Sequence, residues 1–208
     1  MKKKTIVIGS YNPGKIKEMM YYLKKTNFKI LLAEKFKLNE PEENGQTFEK
    51  NALIKARYVN KKTKKIAIAD DSGLVIPILH GYPGIYSARL SGKNKNFNLA
   101  MKKLNHLFFK KKPNAYYISV LAIAWNKKKI KTFTGKVYGK LIWPPRGNMG
   151  FGYDPIFMPY GYNKTFGETK ENIKNKELFA ERIKKVTDYF PILSKRGSQR
   201  AGTLSGGE

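Results

Sequence analysis

Asp70 and Asp71 stand side by side after the apolar run Ile66-Ala67-Ile68-Ala69 and lead directly into Ser72 and Gly73. In a chain with 15 acidic residues against 42 Lys and Arg, such a pair stands out. A strand that ends this way presents acid at its tip, and the carboxyl end of a strand in an α/β sheet is where ligands bind. Adjacent carboxylates repel unless something positive lies between them. A metal ion is one such group, and with no cysteine and two histidines in the chain oxygen-only ligands favour Mg²⁺ or Mn²⁺ over zinc. An isolated pair also fits a plainer account, in which one carboxylate caps the next turn and the other faces water. Its neighbours decide between the two.

Three other stretches carry matching chemistry. Ser10-Tyr11-Asn12-Pro13-Gly14-Lys15 sits between a strand-like and a helix-like segment, where backbone N–H groups and a helix N-terminus favour anions. It is neither a Walker-type nor a dinucleotide-type glycine loop. Asn51 and Lys55 lie one turn apart on one stripe of a helix and can reach a shared ligand; the acidic run Glu40, Glu42 and Glu43 precedes that helix. Gly150-Phe151-Gly152-Tyr153-Asp154 places flat rings beside a carboxylate, as a pocket for a base requires, although core packing accounts for aromatics equally well.

The elements that position these residues follow from hydropathy. Thr5 to Gly9 reads as a buried strand, with Ile16, Met19, Met20 and Leu23 marking the helix after it. Phe28 to Leu32 is a second strand. A helix begins near Thr47, with Phe48, Ala52 and Ala56 on its packed face. A short strand is expected again over Leu74 to Leu79. Phe97, Ala100, Met101, Leu104, Leu107 and Phe108 mark a further amphipathic helix. Tyr116 to Trp125 and Ile130 to Ile142 form a hairpin about Asn126 to Lys129, with Gly135 and Gly139 hinting at bulges or close backbone approach. Gly150 to Phe157 reads as strand. His80 and His106 have no partner that would make them ligands.

Length bounds the rest. The 208 residues suit one domain or two joined lobes; residues 1–197 are expected to form one two-lobed domain, with 198–208 a disordered Gly/Ser-rich tail. No apolar run reaches membrane-spanning length and Met1-Lys2-Lys3-Lys4 does not open a signal peptide, so a soluble cytoplasmic protein is expected. The formal charge of +27 suggests nucleic acid as a partner. Only six of the 42 basic residues are Arg, however, and Lys is spread from end to end, which favours a solvated surface over a base-reading face.

Taken in order, Ser10 to Lys15 with Glu18, Thr47-Phe48 with Asn51-Ala52 and Lys55-Ala56, Ala69 to Leu74, Pro83 to Arg89, and Gly150 to Phe157 resemble the inosine/xanthosine triphosphate pyrophosphatase family over about residues 5 to 175. The resemblance implies an α/β fold, an elongated twisted mixed β-sheet with flanking helices and two lobes around a central nucleotide cleft. It implies a Mg²⁺-dependent homodimer that hydrolyses ITP, dITP and XTP to the monophosphate and pyrophosphate, keeping them out of nucleic acids. Residue by residue, the segment Ser10, Tyr11, Asn12, Pro13, Gly14 and Lys15 would bind substrate, with Ser10, Asn12 and Lys15 on the phosphates and Lys55 helping. Asp71 would bind metal and act as base for the attacking water, with Glu42 the second carboxylate. Ser72 and Phe151, Gly152, Tyr153 and Asp154 would contact the nucleotide.

The chain departs from the family pattern twice. Lys50 stands where the family usually has Glu before the helical Asn. The family follows a Lys-Asn pair with Ser-His-Arg, which holds base and phosphates; here Lys174-Asn175 is present, no His follows, and Arg182 matches the Arg only after a shift of two residues. A nucleotide- or nucleic-acid-binding protein without efficient hydrolysis is the alternative reading.

Overall fold

The structure is a computed structural model that describes residues 4–24, 26–108 and 112–169. Its centre is a six-stranded mixed sheet in the order β2-β1-β3-β4-β5-β6, formed by β1 (Thr5–Ile8), β2 (Lys29–Leu32), β3 (Ile66–Val75), β4 (Asn114–Ala124), β5 (Ile130–Leu141) and β6 (Phe157–Pro159). β1 runs parallel to β2 and β3, and from β3 onward every pairing is antiparallel. Among the described residues three α-helices flank the sheet: α1 (Pro13–Leu23), α2 (Phe48–Thr63) and α3 (Phe97–Phe108). No helix among the described residues is long and apolar enough to cross a membrane.

Side-chain alternation along the strands divides the core between the two faces. Ile68, Leu121, Ile123 and Phe133 share one cluster with Met19 and Leu23 of α1 and Leu104 and Phe108 of α3. Ala69, Val120 and Ala122 face the other way, against Ala52 and Ala56 of α2. Alanine on both sides of that second contact lets the helix lie close to the sheet. The helix starts where the sequence places it: Thr47 is extended, and its Oγ1 accepts a hydrogen bond from the Lys50 N–H at 3.1 Å, the side-chain cap expected of threonine.

Three expectations are corrected. β3 does not end at the acidic pair but runs through it to Val75. Its pairing with β1 stops at Ile8↔Ile68, whereas β4 continues alongside to Val75↔Tyr116. Asp70 and Asp71 therefore lie at the carboxyl end of the parallel half of the sheet while sitting in mid-strand of the antiparallel half. Second, the strand expected over Leu74 to Leu79 is the last two residues of β3 followed by a 3₁₀ turn at Pro77–Leu79, as the fixed φ of Pro77 favours. Third, strand in the Gly150 to Phe157 block is confined to Phe157–Pro159. Gly150 and Gly152 adopt φ of +75° and +70°, which no strand accommodates, and Asp154–Ile156 is a 3₁₀ turn.

The glycines of β5 make no bulge, since the β4–β5 register is continuous from Asn114↔Lys140 to Ala124↔Ile130. Close approach is found at Gly139, where a Cβ would lie 2.3 Å from the Met158 carbonyl oxygen. The expected tail falls outside the described residues.

Candidate active site

A cleft of about 220 Å³ opens beside β3 beyond the point where β1 stops. The first wall is the turn between β1 and α1. Asn12 Oδ1 accepts from the Gly14 N–H at 2.9 Å and the Lys15 N–H at 3.4 Å, so the asparagine fastens the turn through its oxygen. Pro13 begins α1, a position where its missing N–H has no cost. Gly14 lies beneath the ring of Phe151, whose Cδ1 would be 2.8 Å from a Cβ there. Any side chain at residue 14 would push that ring away from the cleft.

The acidic pair divides between the two faces of the sheet. Asp70, 1% exposed, points toward α1 and meets Lys15 Nζ at 2.9 Å; Ser72, on the same face, donates its hydroxyl to Asp70 Oδ2 at 3.3 Å. Burial works against the charge of Lys15, but Asp70 first, and then Asp71 and Glu43, outweigh it and hold the ammonium above the ordinary lysine range. Asp71 points toward α2. Asn51, completely buried, accepts from the Gly45 N–H through Oδ1 at 2.8 Å and donates through Nδ2 to Asp71 Oδ2 at 3.1 Å. The loop amide thus fixes which end of the Asn51 side chain faces the carboxylate. The Ser72 N–H donates to Asp71 Oδ1 at 3.0 Å.

Lys55 Nζ lies 2.5 Å from Glu43 Oε1 and 3.9 Å from Asp71 Oδ1, so one ammonium stands between two carboxylates. Its attention to Glu43 leaves Asp71 only partly compensated. Burial therefore dominates and pushes the Asp71 carboxyl up to about 6, with Lys55 and Lys15 pulling it back and Glu43 adding to the rise. A carboxylate in this range is ionised at neutral pH yet basic enough to take a proton.

The remaining wall is aromatic. Phe97 and Tyr153 meet edge to face with centroids 5.4 Å apart, and the Tyr153 hydroxyl donates to the Ser87 carbonyl at 2.8 Å. Asp154 is fully buried beneath this wall. It accepts from the Phe151 N–H at 2.8 Å and the Tyr117 hydroxyl at 3.1 Å, so it shapes the turn that presents Phe151. Burial, reinforced by Asp154, holds the Tyr117 phenol well above its usual range.

Of the residues singled out from sequence, Ser10, Tyr11, Asn12, Lys15, Lys55, Asp71, Ser72, Phe151, Gly152 and Tyr153 line this one cleft. Pro13, Gly14 and Asp154 sit behind it as supports. Lys174 and Arg182 lie outside the described residues. Glu42 is exposed and does not line the cleft; Glu43 is the carboxylate of that run which reaches Lys55. Nothing in an irregular acidic loop distinguishes the two positions beforehand. Sequence reasoning gave no individual role to Arg89, whose Nη2 donates to the Glu43 carbonyl at 2.5 Å, nor to Tyr117 and Ser119, hidden in an apolar strand.

Among the described residues no three His, Cys, Asp or Glu side chains gather as a ready-made metal cage. The donors still fit magnesium, which typically takes one or two carboxylates and completes its shell with water and substrate phosphates. Asp71 and Glu43 both face the cleft, and Lys55 Nζ sits between them where a cation is electrostatically favoured.

Residues 6–184 match the model of the Ham1 family. The dITP/XTP pyrophosphatase of Bradyrhizobium sp. is 43% identical over 169 residues, spanning 78% of this chain and 79% of that protein. The enzyme of the same name from Brucella melitensis is 42% identical over 178 residues, spanning 81% and 80%. Among solved structures, a HAM1 protein from Coxiella burnetii superposes with a TM-score of 0.82 at 31% identity, over 90% of this chain and 98% of that one. The Ham1 protein of Staphylococcus aureus gives 0.79 at 32% identity, over 94% of this chain and all of that one. Matched along most of its length in both sequence and fold, the chain belongs to the Ham1 family.

Proposed function

We propose that this protein hydrolyses the non-standard purine nucleoside triphosphates dITP, ITP and XTP to the monophosphate and pyrophosphate, with Mg²⁺ as cofactor. The observation that carries the proposal is the state of Asp71: buried, held by Asn51, only partly neutralised by Lys55, and facing a cleft with a basic turn at one side and aromatic rings at another. The pyrophosphatase relatives support the choice of reaction.

In this reading Asn12 and Lys15 meet the phosphates and Phe151 and Tyr153 border the base. Asp71 orients a water molecule toward the α-phosphorus and accepts its proton as the new P–O bond forms. The bond from the α-phosphorus to the bridging oxygen breaks, and pyrophosphate leaves with that oxygen. Lys55 keeps the carboxylates of Asp71 and Glu43 close despite their repulsion. Bound through Asp71 and Glu43, the metal would neutralise phosphate charge during the attack. Homodimerisation and a cytoplasmic site of action belong to the same proposal and rest on the family resemblance.

The test is release of pyrophosphate from dITP, XTP, dATP and dGTP, with and without Mg²⁺. Metal-dependent release that favours dITP and XTP supports the proposal. Orthophosphate in place of pyrophosphate, or no release from any of the four, overturns it.

A further inference from the structure

On the α1 and α3 face of the sheet one cross-strand row is small. Ser72, Ser119 and Gly135 stand in register on β3, β4 and β5. The rows on either side are bulky: Leu74, Tyr117 and Val137 on one, Asp70, Leu121 and Phe133 on the other. Ser72 and Ser119 of this row line the cleft together with Leu74, Tyr117, Phe97 and Tyr153, so the small row leaves a trough between bulkier neighbours. Small residues alone make no site, but here they surround a polar atom that the fold leaves unused. Ser119 is 3% exposed and lines the cleft, and its Oγ has no hydrogen-bond partner among the described residues. The hydroxyl opposite it, that of Ser72, is already committed to Asp70. A buried hydroxyl without a partner carries a desolvation cost, which a ligand can relieve.

We propose that Ser119 is a base-anchoring residue, whose hydroxyl hydrogen-bonds to the polar edge of a purine ring lying in this trough. The inference rests on the nucleotide-hydrolysing function proposed above and assigns the deep end of the same cleft. The surroundings select the base over the phosphates. The hydroxyl is neutral, and five of the six residues in the flanking rows are aliphatic or aromatic, the sixth being Asp70, whose charge is paired with Lys15. A flat heteroaromatic ring with polar atoms on its edge matches both the gap and the unused hydroxyl.

Ser119→Ala separates this role from a structural one. Three quantities are measured on the full chain: binding of dIMP, which carries the base; binding of pyrophosphate, which does not; and the thermal midpoint without ligand. The assignment predicts that dIMP binding weakens about fivefold, the worth of one neutral hydrogen bond. Pyrophosphate binding stays within about twofold, and the midpoint does not fall, because the hydroxyl removed had no partner. Unchanged dIMP binding, or a parallel loss of dIMP and pyrophosphate binding with a lowered midpoint, overturns the assignment. If the unsubstituted chain still releases pyrophosphate from dITP in those cases, the function stands and Ser119 alone is misassigned. An unsubstituted chain that neither binds dIMP nor hydrolyses dITP overturns both.

Discussion

Asp70 and Asp71 are the same side chain one residue apart on one strand, and the fold gives them opposite tasks. Asp70 faces α1, is closed off from water and meets Lys15 at 2.9 Å. Asp71 faces α2, where Lys55 Nζ is 3.9 Å away and already engaged with Glu43. The first is a neutralised brace between β3 and the turn that joins β1 to α1; the second is a carboxylate whose charge the protein leaves unsettled. The difference comes from β-strand alternation, which sends neighbours to opposite faces, and from which helix each face meets. A pair that looks like one bidentate acid site in sequence is two sites in space.

The comparison can be attacked from each side. The largest effect on stability is expected for Asp70→Asn, which strands a mostly buried ammonium, the Lys15 side chain being 14% exposed. A loss of about 3–5 kcal/mol follows if the pair is the brace described, read as a lowered denaturation midpoint. Adding Lys15→Met should recover much of that loss, since removing both charges is far cheaper than removing one. A single substitution without measurable cost would show that Asp70 braces nothing.

Asp71→Asn should act in the opposite direction. The unfolded carboxyl titrates near 3.8 and the folded one near 6. Between those values the folded chain holds a proton that the unfolded chain has released, so stability falls as pH rises from about 4 to about 6 and stays at the lower level above. Asparagine carries no such penalty. In EDTA at pH 8 the variant is expected to be more stable by up to about 3 kcal/mol, with the gain vanishing near pH 3.5. Urea unfolding at the two pH values checks this, and an equal difference at both would contradict it.

Smaller effects sharpen the Asp71 side. Gly73→Ala places a Cβ 2.5 Å from Ser87 Oγ and 2.6 Å from the Gly84 carbonyl oxygen. That overpacking should cost about 1–3 kcal/mol and move the Pro83–Arg89 segment that borders the cleft, visible as a raised KM. Thr47→Ala removes the N-cap of the helix carrying Asn51 and Lys55, at about 1 kcal/mol. Its mark should be a loss of turnover out of proportion to the small change in thermal midpoint.

Much of the fold was legible because its signals are local. The β-branched run Thr5 to Ile8, the Thr47 cap and the Ala52/Ala56 stripe each dictate structure from within a few residues. The length of β3 was not legible, because it is set by β4, a partner more than forty residues away in sequence. The same distance explains the site. The residue types around Asp71 were visible as Asn51 and Lys55 on one stripe, whereas the choice of Glu43 over Glu42 depends on where an irregular loop meets Lys55 and is held by Arg89. Ser119 was concealed by its own strand, a lone hydroxyl between Ile118 and Val120 whose missing partner only the folded chain reveals.

The most direct test of the division between brace and base is pyrophosphate release from saturating dITP with Mg²⁺, measured side by side for the unsubstituted chain, Asp70→Asn and Asp71→Asn, each confirmed folded by circular dichroism. The account predicts that Asp71→Asn loses on the order of a thousandfold in kcat, as expected when base and metal ligand are removed together, while folded Asp70→Asn stays within about thirtyfold of the unsubstituted chain, having lost positioning only. Turnover retained by Asp71→Asn, or lost equally by both, would contradict it.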